Sequence, residues 1–242
     1  MNTIKLKSKK VKMIAHRGAS GLERENTCPA FVAAGNRSYF GIETDVHLSK
    51  DGKFVIFHDE NTKRVTLGEV DINIEENDYS KYKDLVLPDV DKSTNRQDIR
   101  IPLLIDYISI CKKYEKVCVL ELKNPFTKED VVRLTKEIKD LGYLDKTIFI
   151  SFSFQNCVYL REILSDAKIQ WLTSKHLTEE DISNLVKHKL DLDVEYRQIT
   201  KKDVKRLHKL GLEVNVWTCD DKVKAKQLVK MGVDYITSNI LE

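Results

Sequence analysis

The chain lacks the cysteine pattern of secreted or zinc-binding proteins. Its 242 residues include five cysteines, an odd number without a CxxC pair: Cys28, Cys111, Cys118, Cys157 and Cys219. That spacing argues against both a disulfide framework and a zinc site. The basic amino-terminal stretch runs into His16 without the apolar region that a secretory signal needs. We therefore expect a reducing, cytoplasmic setting.

A long apolar run and an excess of one charge are absent as well. No run approaches the roughly 18 apolar residues of a membrane-spanning helix. Lysine and arginine number 41 against 38 aspartates and glutamates, so the net charge is +3, and 41% of the residues are hydrophobic. This composition is typical of a globular chain and argues against a dedicated nucleic-acid binder. We expect neither membrane insertion nor a nucleic-acid partner, and the sequence leaves the oligomeric state open.

Glycine is scarce, and three of the nine glycines mark the ends of helical stretches. Gly142, Gly211 and Gly232 each follow such a stretch and precede a β-rich run by a few residues. A glycine in the left-handed conformation commonly ends a helix. These positions therefore predict three joints at which a helix leads into a strand.

Short β-rich runs alternate with segments of helical length along most of the chain. The runs cover residues 12–15, 42–48, 54–57, 117–122, 147–152, 169–173, 192–196, 213–217 and 235–237. Apolar residues between them recur at steps of three and four, as one-sided helices require: Val131, Leu134, Ile138 and Leu141, and again Ile182, Leu185 and Val186. Alternating strands and helices predict parallel strands joined by crossovers.

The number of strand–helix units predicts an α/β fold, a (β/α)8 TIM barrel. Such barrels are typically about 250 residues long, and no linker of proline, glycine or serine divides residues 1–242, so we expect a single domain. The polar segment 67–100 is the exception, because it shows little periodicity and holds nine acids between Glu69 and Asp98. We interpret it as an insertion after an early strand that forms a cap over the barrel mouth.

Acidic side chains share one face of two predicted strands. Side chains alternate along a strand, so Glu43 and Asp45 point the same way, and Glu121 lies on one face with Lys123. Three carboxylates offer the oxygen ligands that Mg²⁺ or Ca²⁺ prefers. The alternative is that these acids are exposed or form ion pairs with Lys123 and Arg17 without a metal.

Two histidines occupy matching positions at predicted strand ends. His16 follows the first strand and His58 another, and the carboxyl ends of parallel barrel strands meet at the catalytic mouth. A pair placed there can act as acid and base near pH 7. Arg17 carries a guanidinium suited to phosphate oxygens, and Trp217 can wall a small ligand or belong to the core.

The order of these residues closely resembles the glycerophosphodiester phosphodiesterase family. The motifs that carry the resemblance span nearly the whole chain: His16-Arg17-Gly18-Ala19-Ser20, Glu25-Asn26-Thr27, Glu43-x-Asp45-Val46, Asp51-Gly52, His58-Asp59, Arg64-x-Thr66, Glu121-Leu122-Lys123, Ser151-Phe152, Val216-Trp217-Thr218 and Gly232-Val233-Asp234. The chain departs from the family pattern at Arg24, where a proline is common, and after Thr237, where Ser238-Asn239-Ile240 replace an aspartate that is soon followed by a proline.

The resemblance implies a TIM barrel, one divalent metal and the hydrolysis of glycerophosphodiesters to glycerol 3-phosphate and an alcohol. Mapped onto this chain, it assigns the roles as follows: the acid–base pair is His16 and His58, the phosphate contacts are Arg17 and Lys123, the metal ligands are Glu43, Asp45 and Glu121, and Trp217 lines the site.

Two other functions remain open. A phospholipase D-like or sphingomyelinase D-like enzyme shares a similar barrel and site, although the chain shows no apolar anchor. A phosphodiester-binding relative without turnover is the second, although a binder needs no proton shuttle. The sequence also leaves open which histidine is the acid, and whether water or a glycerol hydroxyl attacks.

Overall fold

The computed structural model describes residues 2–6, 8 and 10–242, and a closed barrel of parallel strands organises them. The strands are β1 (Lys12–Ala15), β2 (Gly41–Leu48), β3 (Phe54–Ile56), β4 (Val117–Leu122), β5 (Thr147–Ser151), β6 (Lys168–Thr173), β7 (Asp191–Glu195), β8 (Val214–Trp217) and β9 (Tyr235–Ser238). Their order is β1-β9-β8-β7-β6-β5-β4-β2-β3, and an additional β1–β2 pairing closes the barrel. The predicted (β/α)8 architecture is confirmed.

Helices cover the outside of the barrel. They are α1 (Cys28–Gly35), α2 (Leu104–Lys113), α3 (Lys128–Asp140), α4 (Phe154–Ile163), α5 (Glu179–His188), α6 (Lys201–Lys209) and α7 (Lys222–Met231), with short 3-10 turns at Tyr79–Lys81 and Leu144–Lys146. None of the described helices is both long and apolar enough to cross a membrane.

The α3 helix shows how local sequence determines these elements. The Thr127 side chain accepts a hydrogen bond from the Asp130 backbone N–H and so caps the helix. Val131, Leu134 and Ile138 are fully buried against the sheet, as their spacing predicts. In α5 the same prediction is only partly right, because Ile182 and Leu185 are buried while Val186 is 43% exposed.

The three glycines after helical stretches adopt the predicted left-handed conformation. Their φ angles are 67° at Gly142, 79° at Gly211 and 100° at Gly232. In α7 the Gly232 backbone N–H bonds to the Leu228 carbonyl oxygen and ends the helix. The following strands enter the barrel a few residues later, so these joints fix where β5, β8 and β9 begin.

Strand β3 lies outside the barrel and runs antiparallel to β2. Val46 pairs with Ile56 and Leu48 with Phe54, across the tight turn at Asp51-Gly52. The chain therefore rises along β2 past the mouth and returns along β3. This return is what brings the residues after β3 back beside the carboxyl end of the barrel.

The segment 67–100 packs against β3 through an apolar cluster of its own. Its fully or almost fully buried members include Ile74, Tyr82, Leu87 and Ile99, which join Val55 and Phe57. The Tyr82 hydroxyl donates to the Ile74 carbonyl oxygen. The segment is thus ordered by burial rather than by helices or strands, which explains its weak sequence periodicity. Its role as a cap and the single-domain assignment stay predictions.

Gly18 combines a positive φ with a close approach between backbones. At φ 77°, a Cβ at this position would lie 2.7 Å from the backbone carbonyl carbon of Ala30. At Gly211 the φ is 79°, but a Cβ would meet nothing within 4 Å. An alanine at Gly211 would suffer only the unfavourable φ angle, whereas an alanine at Gly18 would also overlap with Ala30.

We expect Gly211→Ala to lower the free energy of unfolding by about 1–2 kcal/mol, the usual cost of left-handed backbone in a residue with a Cβ. Gly18→Ala should cost more, because the overlap with Ala30 adds to the same backbone strain. Urea titration of both variants measures the difference. Equal losses in the two variants would contradict the close-approach argument.

Candidate active site

Three buried carboxylates meet at the carboxyl ends of β2 and β4. The register places Asp45 directly beside Glu121, and Glu43 lies two residues earlier on the same face of β2. One oxygen from each of the three side chains lies within 4.8 Å of the others. All three residues are buried, and the most exposed of them, Glu121, is 7% exposed. The predicted cluster is thus brought together by the strand pairing.

Burial opposes ionisation of all three acids, and the charges around each one decide the direction in which its pKa moves. Burial, followed by the charges of Asp45 and Glu121, raises the pKa of Glu43 well above its usual value. Burial and the charge of Asp45 likewise raise the pKa of Glu121. Burial also opposes ionisation of Asp45, but Lys123 and Arg17 outweigh it and hold the pKa of that carboxyl below its usual value.

Two cations lie against the carboxylates. The Lys123 ammonium is 2.8 Å from Glu121 and 3.4 Å from Asp45. The Arg17 guanidinium is 2.8 Å from Glu25 and 3.5 Å from Asp45, and the Arg17 backbone N–H donates to Glu43 at 2.8 Å. Only two cationic side chains thus lie beside the three acids, and one of them, Arg17, also pairs with Glu25.

The donor set fits a divalent cation. Asp45 Oδ1 is buried and makes no hydrogen bond with the described residues, although Lys123 Nζ lies 3.4 Å away. Asp45 Oδ2 is held by the Asn26 amide at 2.7 Å, which leaves Oδ1 turned toward the cluster. A buried carboxylate oxygen without a hydrogen bond, beside two acids with raised pKa values, is the environment that Mg²⁺ or Ca²⁺ stabilises.

His58 reaches the cluster by a route that differs from the prediction. The sequence predicts it at the carboxyl end of a parallel strand, but it follows the antiparallel β3 outside the barrel. The Phe57 backbone N–H bonds to the Asp45 carbonyl oxygen, so β3 delivers His58 to the level of the acids from the opposite direction. The predicted position at the mouth is right, and the predicted geometry of the strand is wrong.

A network of charged side chains supports His58. Its Nδ1 lies 2.6 Å from Asp59 Oδ1, and Asp59 is in turn 2.6 Å from Arg64. Arg64 also binds Glu25, which contacts Arg17. The network thus links His58 to the arginine beside His16 through alternating charges.

His47 connects the inserted segment to the same histidine. Its Nδ1 lies 2.8 Å from Glu75 of the segment 67–100, and its Nε2 lies 3.2 Å from the His58 carbonyl oxygen. The Asn124 amide after β4 also donates to Glu75. Alternation along the strand places His47 on the face of Glu43 and Asp45, and the structure shows that it contacts the backbone of His58.

His16 is held at the other side of the cluster by the end of β9. Its Nδ1 lies 2.7 Å from Asn239 Oδ1, and its Nε2 lies 4.0 Å from Glu43 Oε2. Burial, together with the charge of Arg17, lowers the pKa of His16 to about 4. Sequence reasoning assigned no role to Asn239, because the chain departs from the family pattern there.

A cavity of about 200 Å³ lies beside these groups at the barrel mouth, and Asp45 belongs to the carboxylate cluster without being among the residues identified as lining the cavity. The predicted site residues that line it are His16, Arg17, Glu43, His58, Glu121, Lys123 and Trp217. Phe152 packs edge-on against Trp217, with ring centroids 5.8 Å apart. None of the lining residues identified in the described part of the chain comes from segment 67–100. Sequence reasoning missed Asp193 and gave Phe152 no role, although alternation along β7 points Asp193 inward.

Comparison with known proteins identifies what this arrangement is similar to. The model of the Glycerophosphoryl diester phosphodiesterase family matches residues 16–241. A glycerophosphodiester phosphodiesterase of Caldanaerobacter subterraneus is 30% identical over 235 residues, covering 95% of this chain and 94% of that protein. A human lysophospholipase D is 39% identical over 99 residues, or 38% of this chain and 31% of that protein.

A solved structure shows the same architecture. The Oleispira antarctica phosphodiesterase in complex with the product sn-glycerol-3-phosphate has a TM-score of 0.86 and 25% sequence identity. The match covers 98% of this chain and 96% of that one. The agreement therefore extends over the barrel, its helices and the strand ends that carry the site.

The buried acid Asp193 generates a pH prediction. Burial and the charge of Glu121 raise its pKa well above the usual value, so the native state binds a proton more tightly than the unfolded chain. The native state therefore loses stability as the pH rises from the pKa of Asp193 in the unfolded chain to its higher pKa in the folded protein. We expect Asp193→Asn, which removes this loss, to gain stability relative to the parent protein as pH rises, by at most about 1.4 kcal/mol per pH unit.

Thermal unfolding between pH 4 and 9 measures this difference. Asp71→Asn, an equal loss of charge at an exposed position, serves as the control. A constant difference between Asp193→Asn and the parent protein at every pH would contradict the prediction.

Proposed function

The chain belongs to the Glycerophosphoryl diester phosphodiesterase family, and we therefore propose that it hydrolyses glycerophosphodiesters to glycerol 3-phosphate and an alcohol. The observation that carries the proposal is the convergence of three buried acids, two cations and two histidines at the barrel mouth, where all of these residues except Asp45 line one cavity. Water adds across one P–O bond of the diester, and the alcohol leaves with a proton. The product held by the Oleispira antarctica protein supports this choice of substrate.

We propose that Glu43, Asp45 and Glu121 hold one divalent cation, Mg²⁺ or Ca²⁺. Such an ion, when bound, polarises a phosphoryl oxygen and offsets charge that develops in the transition state. The support is the buried, mutually repelling donor set and the Asp45 oxygen that makes no hydrogen bond with the described residues. The chemistry of the ligands suits either ion.

Arg17 and Lys123 are proposed to bind the phosphate. Both cations line the cavity and already face the carboxylates, so a phosphate that enters beside them meets positive charge fixed in place. Trp217 and the adjacent Phe152 are proposed to form an apolar wall for the rest of the ligand. A small ligand can thus present its charged end to β2 and β4 and its uncharged part to the aromatic rings.

His16 and His58 are proposed as the acid–base pair. One removes the proton of the nucleophile, and the other protonates the leaving alkoxide. The nucleophile is water, or the neighbouring glycerol hydroxyl with a cyclic phosphate that water then opens. The support is that both imidazoles line the cavity and that each has its Nδ1 fixed by a neighbour, Asn239 or Asp59.

Soluble diesters are the proposed substrates, rather than bilayer lipid. Segment 67–100 is rich in acids, which repel an anionic membrane. The partial match to a human lysophospholipase D makes a lipid-derived substrate the second candidate. The cap role of the segment, the cytoplasmic location and the lack of a nucleic-acid partner stay predictions.

We expect release of glycerol 3-phosphate from glycerophosphocholine or glycerophosphoethanolamine when a divalent cation is present, and loss of activity in excess chelator. Glu43→Gln, Asp45→Asn and Glu121→Gln should each weaken activity and cation binding by at least about 10- to 100-fold, since even outer-shell partners of a metal are worth that much. An enzymatic assay for glycerol 3-phosphate and calorimetric titration of Mg²⁺ and Ca²⁺ provide the two readouts.

Glu195→Gln is the matched control for these variants. Glu195 is a buried acid at the mouth end of β7, but it pairs with Arg197 outside the cluster. Undiminished turnover in chelator would refute the metal proposal. Faster release of choline from bilayer lysophospholipid than from soluble diester would favour the second candidate instead.

His16→Ala and His58→Ala should each lower turnover by about 10²–10⁴-fold, the usual share of general acid–base catalysis. Cation affinity and thermal stability should change little, because neither imidazole belongs to the carboxylate cluster. The exposed His176→Ala is the control. Normal turnover in both site variants would show that the histidines are structural.

A further inference from the structure

A chain of hydrogen bonds runs from the loop after β8 to His16. Asp220 Oδ2 accepts from the Asn239 side-chain amide at 2.6 Å, and Asn239 Oδ1 lies 2.7 Å from His16 Nδ1. Asp220 Oδ1 accepts from the Ser238 hydroxyl at 2.7 Å and from the Asn239 backbone N–H at 2.8 Å. Three donors from the end of β9 therefore converge on a single carboxylate.

The direction of each bond in this chain is determined by Asp220. An ionised carboxylate only accepts hydrogen bonds, so the Asn239 group that faces it is the NH₂. The carbonyl oxygen of the Asn239 amide must then face His16. A carbonyl oxygen cannot donate, so His16 Nδ1 carries the hydrogen. The Ser20 hydroxyl lies 2.7 Å from both Asn239 Oδ1 and the His16 carbonyl oxygen, and its one hydrogen is donated to either of them.

We propose that Asp220 and Asn239 are positioning residues that hold neutral His16 in the tautomer with its hydrogen on Nδ1. The lone pair of the imidazole is then on Nε2, the nitrogen that faces Glu43 Oε2 at 4.0 Å and lies toward the carboxylate cluster. The assignment rests on the proposed function, because it makes Nε2 of His16 the atom that accepts a proton during turnover. His16 keeps its bond to Asn239 after it has accepted that proton.

The two histidines differ in what holds their Nδ1. His58 bonds directly to the carboxylate of Asp59, which stabilises a charged imidazolium. His16 bonds to a neutral amide, and the charge of Asp220 lies one residue further away. The two imidazoles are therefore oriented by different kinds of partner, and the inference concerns only the tautomer of His16.

Asp220 also contacts the part of the chain that departs from the family pattern after Thr237. Ser238, which stands where the family usually has an aspartate, donates a hydrogen bond to Asp220 in the loop after the neighbouring strand. Sequence position alone does not show this, because Asp220 and Ser238 are 18 residues apart.

Asp220→Asn tests the chain of bonds, and Asp221→Asn is its matched control. An amide at position 220 offers only one acceptor atom to three donors, and in one orientation its NH₂ opposes the NH₂ of Asn239 and turns that amide over. Asp221 undergoes the same chemical change but only caps α7, where asparagine is equally effective. We expect kcat of Asp220→Asn to fall about tenfold with little change in KM, as for other partners of catalytic groups.

The double variant Asp220→Asn/Asn239→Asp exchanges the two groups and tests the tautomer separately from turnover. The amide introduced at position 220 can then accept from Ser238 and donate to the carboxylate introduced at position 239, which in turn accepts from His16 Nδ1. We expect this variant to keep the hydrogen on Nδ1 of His16, and the tautomer is its readout because a carboxylate in direct contact with the imidazole also changes its proton affinity. The ¹⁵N chemical shifts of His16 report the tautomer directly, and should show hydrogen on Nδ1 in the parent protein, in Asp221→Asn and in the exchange variant.

The outcomes separate this inference from the proposed function. Parent-like kcat and an unchanged tautomer in Asp220→Asn, or hydrogen on Nε2 of His16 in the exchange variant, would overturn the positioning role. Hydrogen on Nε2 of His16 in the parent protein would overturn it as well. If no glycerophosphodiester were turned over by the parent protein, the proposed function would fail, while the ¹⁵N spectra would still test the hydrogen-bond chain.

Discussion

The accumulation of negative charge at one end of the barrel dictates how the surrounding loops are built. Glu43, Asp45 and Glu121 are buried close enough together to contact one cation. Buried carboxylates without a compensating charge are strongly destabilised. Lys123 and the Arg17 backbone and side chain offset part of this charge. Arg17 adopts a positive φ of 53° to do so, and Gly18 follows it with close contact to Ala30. The loop after β1 is thus shaped by the need to deliver donors to the acids.

The supports of the two histidines come from opposite sides of the barrel mouth. His58 depends on Asp59, Arg64 and, through its carbonyl oxygen, on His47 and the inserted segment. His16 depends on Asn239 and the loop after β8. Each catalytic candidate is therefore held by a group outside the cavity, so that its other ring nitrogen is available to a ligand. The two imidazole rings are therefore held in fixed orientations, because the side chains that support them are themselves hydrogen-bonded.

The inserted segment affects the site without lining the cavity. Glu75 reaches His47, and the carbonyl oxygens of Pro88 and Asp89 accept from Arg24. Arg24 is the residue that stands where the family usually has a proline, and it connects the segment to the loop after β1. The departure from the family pattern therefore has a structural consequence, since the segment is joined to both loops that carry the histidines.

Local patterns in the chain were enough to predict the strands, most helix faces and most residues of the site. Alternation placed Glu43 with Asp45 and Glu121 with Lys123, because the period of a strand is a local property of the backbone. The folded molecule was needed to show that β3 is antiparallel, that Asp193 faces the cavity, and that Asp220 reaches His16 through Asn239. These features depend on which strands become neighbours when the barrel closes. Pairing between residues that are distant along the chain leaves no periodic signal in a single sequence.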